Sequence, residues 1–233
     1  MKNSANHTGT ASFVSALAAS LAGTVEADAA VVYSGMQSLT ASVTGIATNS
    51  STFSNNALVD LDANGVNDFD GRAVIIPGSA RSARAEVMGL NGNQLAFDNG
   101  FARIFGDGDL IDGAAFGSAG STGLLGMQSG IAGSSFTASQ GPLRTGNTGL
   151  VGLQFDIGGQ THFGWARIRL NELMATSDPQ VTSTLTVVDW AYESVPGTAI
   201  AAGSVPEPSS LALLALGSVG LATLRNRQKS EAA

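Results

Sequence analysis

The stretch "LVGLQFDIGGQTHFGWARIRL", Leu150 to Leu170, decides the fold class. Side chains along a strand point alternately to opposite faces. Read that way, His162 to Leu170 puts Phe163, Trp165, Arg167 and Arg169 on one face, and Gly164, Ala166, Ile168 and Leu170 on the other. Leu150 to Ile157 alternates in part, and a Gly-Gly-Gln-Thr turn separates the two runs. Two alternating runs split by a glycine turn predict a β-hairpin.

Working outward, the same grammar recurs. "AVVYSG" (Ala30 to Gly35) is β-rich and stops on glycine, and "GRAVIIPG" (Gly71 to Gly78) is apolar between glycine and proline. "TSTLTVVDWAYES" (Thr182 to Ser194) is dense in β-branched and aromatic residues, which favour strands. Spacing of this kind predicts an all-β body, an antiparallel β-sandwich or jelly roll. Two stretches, "SARSARAEVMGL" and "STGLLGMQSGIAGSS", are expected to be partly helical or irregular. No internal repeat stands out.

Composition agrees. The chain has 233 residues, thirty of them glycine, with 43% apolar and only 12% charged residues. Charged residues make up about a quarter of a typical soluble protein, so long salt-bridged surface helices are not expected. From Ala30 to Ser204 there are seven arginines, no lysine and fourteen Asp or Glu. An acidic body argues against nucleic acid as a partner, because phosphate contacts need clustered cations. It suits metal counter-ions such as calcium. The absence of cysteine excludes disulfides, thiol catalysis and Cys-based zinc sites.

Both ends look like addresses. Lys2, a mildly apolar run from Phe13 to Val25 and an A-x-A pattern at Ala27-Asp28-Ala29 have the layout of a secretory signal peptide over residues 1–29. At the other end, Ser209 to Leu224 carries no charge. As a helix this run spans ~24 Å, short of the ~30 Å hydrocarbon core. Pro206 and Pro208 give it a sharp start, and Arg225, Arg227 and Lys229 follow it at once. An export signal in front and a stop-transfer segment behind would leave a body of residues 30–204 outside the membrane and the tail inside.

The order Pro206-Glu207-Pro208, short apolar helix, Arg225 and Arg227 resembles the PEP-CTERM sorting signal of Gram-negative bacteria, here over residues 205–229. The resemblance implies an exosortase as partner, a short transmembrane helix before processing, and a destination in the cell envelope or exopolysaccharide matrix. The body is similar to a recurrent set of PEP-CTERM surface proteins in "GGQTHFGWARIRL" and "LTVVDWAYESVPGTAIAAG". Those proteins carry no assigned catalysis.

The sharpest local motif is "DLDANGVNDFD", Asp60 to Asp70. Asp60, Asp62 and Asn64 stand at positions 1, 3 and 5 of a D-x-D-x-N-G loop. Gly65 permits the sharp turn, Val66 would offer its carbonyl at 7, and Asp68 falls at 9. That spacing wraps oxygen ligands around one hard cation, and Ca2+ takes six to eight of them. Position 12 is Gly71, with Asp70 as a candidate substitute. The alternative is an Asp/Asn/Gly turn between strands. A second acidic stretch, with Asp107, Asp109 and Asp112, lacks the 1-3-5-glycine order and reads as a polar turn.

No catalytic motif is complete. There is no G-x-S-x-G elbow, P-loop or full G-x-G-x-x-G, and His162, the body's one histidine, is expected on a strand surface. The expected function is a non-enzymatic structural or adhesive surface protein, braced by Ca2+. A carbohydrate-binding module with exposed Trp165 or Trp190 and a glycan-active enzyme with paired carboxylates are the alternatives, although aromatics on alternating strands are expected to pack in the core.

Overall fold

A computed structural model describes residues 30–46, 52–131, 137–175 and 180–206. The expected signal peptide, the apolar segment Ser209 to Leu224, and Glu207, Pro208, Arg225 and Arg227 lie outside the described residues. Among the described residues no helix is long and apolar enough to cross a membrane.

The chain order is β1 (Val31–Tyr33), β2 (Leu39–Ile46), β3 (Phe53–Val59), β4 (Phe69–Ile76), β5 (Ala80–Gly89) and β6 (Gln94–Asp98). Four two-residue strands follow: β7 (Phe101–Ala102), β8 (Ile104–Phe105), β9 (Leu110–Ile111) and β10 (Ala119–Gly120), with a 3-10 turn at Gly113–Phe116 before the last. The second half holds β11 (Thr122–Ile131), β12 (Thr137–Gln140), β13 (Thr148–Ile157), β14 (Gln160–Ala175), β15 (Gln180–Glu193) and β16 (Ile200–Ala201).

A nine-stranded sheet runs β1-β15-β14-β13-β6-β10, with β2 also on β15, β7 on β6 and β8 on β13. A five-stranded sheet runs β12-β11-β5-β4-β3, and β16 pairs with β9. All pairings are antiparallel. The two large sheets pack face to face, so the all-β class and the sandwich hold.

The hairpin that opened the reading is β13 and β14. Its turn is tighter than expected: Ile157 pairs with Gln160, leaving only Gly158 and Gly159 between the strands. Both have positive φ, +62° and +84°, the backbone that a two-residue turn of matching twist requires. The two stretches expected to be helical or irregular are β5 and β11. In β5 the small residues Ala83, Ala85 and Val87 are buried while Arg84, Glu86 and Met88 are half-buried, a period of two that alanine's helix propensity masks.

The main core lies between the sheets. Leu153, Phe155, Ala166, Ile168, Leu170, Leu185 and Val187 meet Ala57, Phe69, Ala73, Ala85, Val87 and Leu125. Gly71 faces Val187 across this core with no room for a side chain, since a Cβ there would stand 2.9 Å from Val187 Cγ2.

A second cluster occupies the outer face of the large sheet. Phe163, Trp165, Leu150 and Ala191 are covered by Phe105, Ile111, Phe116, Ile200 and Ala202. The β13–β14 hairpin is therefore buried on both faces, which is why its sequence alternates only in part.

On the same outer face, away from that cover, hydroxyls pair across β2 and β15: Thr40 with Thr186 at 2.9 Å, Ser42 with Thr184 at 2.8 Å. Such pairs stabilise a sheet by a few tenths of a kcal/mol each, up to ~1.

Strands β2 and β3 are sheet edges, where unpaired backbone invites pairing with another chain. Asn55 blocks both. Its Oδ1 accepts from Asn56 N at 2.8 Å and its Nδ2 donates to Ser42 O at 2.9 Å. Asn55→Val is expected to unmask both edges and raise self-association. Light scattering across a concentration series checks this, and an unchanged mass at all concentrations would refute the edge role.

Candidate functional site

The loop from Asp60 to Asp68 joins β3 to β4 at one end of the sandwich. Its shape is written by side chains folding back on their own backbone. Asp60 accepts from Asn64 N at 3.2 Å and Gly65 N at 2.7 Å. Asp62 accepts from Asn64 N at 3.2 Å and from Asn64 Nδ2 at 2.9 Å, while Asn64 Oδ1 accepts from Val66 N at 2.7 Å. Ala63 and Gly65 take positive φ, +59° and +88°, so the chain reverses sharply.

Asp68 closes the loop from inside. Its N–H donates to Val59 O, and its carbonyl accepts from Leu90 N, each at 2.8 Å. Its carboxylate accepts from Leu61 N at 2.8 Å and from Asn93 Nδ2 at 3.1 Å. The loop after β5 is thereby tied to the loop after β3.

Asp60, Asp62 and Asp68 each bring a carboxylate oxygen within 4.8 Å of the others. Asp68 is buried and the other two are half-buried. Burial pushes the Asp68 carboxyl above its usual range; the Leu61 amide opposes this, the Asp62 charge adds to it, Asn93 opposes it, and the Asp60 charge adds again. Three like charges this close repel unless a cation or protons intervene.

Of the five residues expected to bind metal, the structure brings these three together. Asn64 turns its amide oxygen to Val66 N, and Val66 is exposed at the rim. Asp70 does not join them. It lies on β4, 1% exposed, with Arg72 Nε at 3.8 Å. Gly71 faces the core. The donor set, all carboxylate oxygen, fits a hard cation such as Ca2+; three protein ligands leave the rest of a six-to-eight shell to other oxygens.

The second acidic stretch is a turn, as expected. Asp109 Oδ2 accepts from Gly106 N at 2.8 Å, and Asp112 caps the 3-10 turn by accepting from Ala114 N and Ala115 N. Among the described residues, no other group of three acidic or histidine side chains converges.

Three placements correct or extend the sequence reading. His162 is not on the surface: it is 4% exposed, its Nδ1 lies 2.8 Å from Glu193 O, and Phe155 and Tyr192 pack against its ring. Trp165 and Trp190 are both buried, the place expected of aromatics on alternating strands. And Asp189, fully buried, accepts from Tyr33 OH at 2.8 Å and pairs with Arg167 Nη1 at 3.3 Å. The sequence carried one signal for that last group, an Arg alternating with a Trp on one strand face.

Pro206, the first residue of the expected sorting knuckle, is exposed at the end of the described chain. Residues 204–228 match the family model of the PEP-CTERM protein-sorting motif. No curated protein and no solved structure matches the chain. The chain carries a PEP-CTERM sorting motif, which marks it as an exported, surface-sorted substrate of an exosortase.

Proposed function

We propose that the body is a non-enzymatic structural or adhesive domain of the cell envelope or its exopolysaccharide, braced by one Ca2+ at Asp60, Asp62 and Asp68. The convergence of these three carboxylates at the sandwich end carries the reading. A cation there would tie the β3–β4 loop to the β5–β6 loop through Asp68 and Asn93, stiffening the end of the body where its first residues also lie. Ala30 is held there by Ser194, whose N–H donates to Ala30 O at 3.0 Å.

Two observations favour this over the alternatives. Burial of Trp165 and Trp190 removes both indoles as platforms for sugar rings. Burial of His162, with its Nδ1 engaged by a backbone carbonyl, favours a packing role over general base chemistry.

Calcium titration of the purified body tests it. At a hundredfold excess over the dissociation constant, binding to the folded state alone adds ~2.7 kcal/mol. For a body of this size that corresponds to roughly 5 to 10 °C in melting temperature. No shift at millimolar calcium, or an equal shift after Asp60→Ala with Asp62→Ala, overturns the metal brace.

A further inference from the structure

The sorting motif begins inside the folded body. After β15 the chain crosses the outer face of the large sheet as a strap from Val195 to Ser204. Gly197 N donates to Thr161 O at 2.8 Å. Ile200 and Ala201 then pair with Ile111 and Leu110 in the β16–β9 clasp. Ala202 N donates to Asp109 O at 2.8 Å, and Gly108 N donates to Ala202 O at 2.9 Å. Ile200 and Ala202 are buried against Trp165 and its neighbours.

Gly203 continues the clasp at φ +79°, where a Cβ would stand 2.7 Å from Asp107 Oδ1. Ser204 is the first residue of the matched motif, yet its N–H still donates to Ala201 O at 3.0 Å and its Oγ is buried. Val205 and Pro206 are the first exposed residues beyond it.

The geometry leaves little chain upstream of the knuckle. Val205 and Pro206 fully extended reach ~7 Å. An enzyme that holds a peptide in extended form pairs with the backbone of several residues, and six of them span ~20 Å. Upstream of Val205, Ile200 and Ala201 are already paired with β9, Ala202 is bonded through both its N–H and its C=O to Asp109 and Gly108, and Ser204 N–H is held by Ala201 O. A closed clasp and a filled peptide cleft therefore compete for the same N–H and C=O groups.

We propose that the strap is a steric gate on processing, with the β16–β9 clasp opening before the sorting enzyme can engage the residues that precede Pro206. The inference rests on the exosortase sorting of this chain. Processing is slow while the body is clasped, and the folded strap sets its rate.

The test follows processing of the full chain in its native host, by pulse labelling and mass spectrometry of the termini. One variant places a flexible Gly-Ser insert of about ten residues between Ser204 and Val205, long enough to reach a cleft with the clasp shut. The other pairs Leu110→Cys with Ala201→Cys, directly opposed positions in a chain with no other cysteine, so that oxidation locks the clasp. The insert is expected to speed processing several-fold with the body's melting temperature unchanged. The lock is expected to slow it several-fold, with reductant restoring the rate.

If wild type is processed and its rate ignores both changes, the gate is wrong and the enzyme acts on a chain not yet folded. If wild type keeps its C-terminal segment, the gate falls together with the sorting reading on which it rests.

Discussion

Replacing Trp165 with Ala is expected to cost the body ~3–5 kcal/mol, the range for removing a fully buried large aromatic. Trp165 is the largest of the fully buried side chains. It lies at the centre of the outer-face cluster, with Tyr33 at 6.2 Å and the Arg167 guanidinium over its ring at 5.4 Å. Strand pairing fixes the floor of β13, β14 and β15, so only the covering layer could settle into the hole. The covering layer of Phe116, Ile200 and Ala202 would lose its partner and the strap its anchor.

Urea unfolding of wild type, Trp165→Ala and Trp165→Phe separates the terms. Phe keeps most of the buried area and removes an indole N–H that has no hydrogen-bond partner, so its loss is expected to be about 1 kcal/mol or less. An alanine variant within about 1 kcal/mol of wild type would mean that the outer-face cluster contributes little to stability.

Replacing Asp70 with Asn is expected to stabilise the body at neutral pH and to flatten its pH dependence. Asp70 lies on the outer face of the small sheet but is 1% exposed, and its Oδ1 has no partner. Burial pushes its carboxyl from 3.8 up to about 6, with Arg72 and the Ala57 amide opposing.

A carboxyl whose folded pKa is raised binds its proton more tightly in the fold than in the unfolded chain. Its contribution is fully present below about pH 4 and is lost as pH rises through about 6. The ionised group therefore costs roughly 2 to 3 kcal/mol at pH 7.5, at 1.36 kcal/mol per unit.

Melting curves from pH 4 to 8, taken in chelator so that metal at the nearby loop does not contribute, give the comparison. Wild type should lose stability between pH 4 and 7 relative to Asp70→Asn, and the variant should melt ~4 to 12 °C higher at pH 7.5. A variant that melts lower at pH 7.5, with an unchanged slope, would show that the Arg72 pair outweighs the desolvation of Asp70.

How much of this was legible beforehand follows the range of each interaction. The hairpin, the all-β class and the Asp60 loop are local facts: period-two alternation, a glycine pair at positive φ, and Asx side chains bonding backbone within five residues. So is the sorting motif, which is read as a linear order of knuckle, apolar run and basic end. The sequence by itself determined these, because nearest neighbours along the chain supply the physics.

The tertiary structure decided which face each strand presents. In β15, Asp189 opposes Arg167 while Val187 opposes Ile168, so Val188 is an extra residue. This bulge moves Trp190 into the inter-sheet core and Asp189 to the outer face, and alternation read from one end of "TLTVVDWAY" gives the wrong side at the other. The burial of His162 and Trp165 has the same origin. Their covers, Tyr192 and the strap at Ile200, lie about thirty residues away in sequence, where no periodicity within a strand can place them. Asp68 meets Asn93, and Ser204 remains clasped, for that reason too. Each depends on contacts that exist only once both sheets have closed.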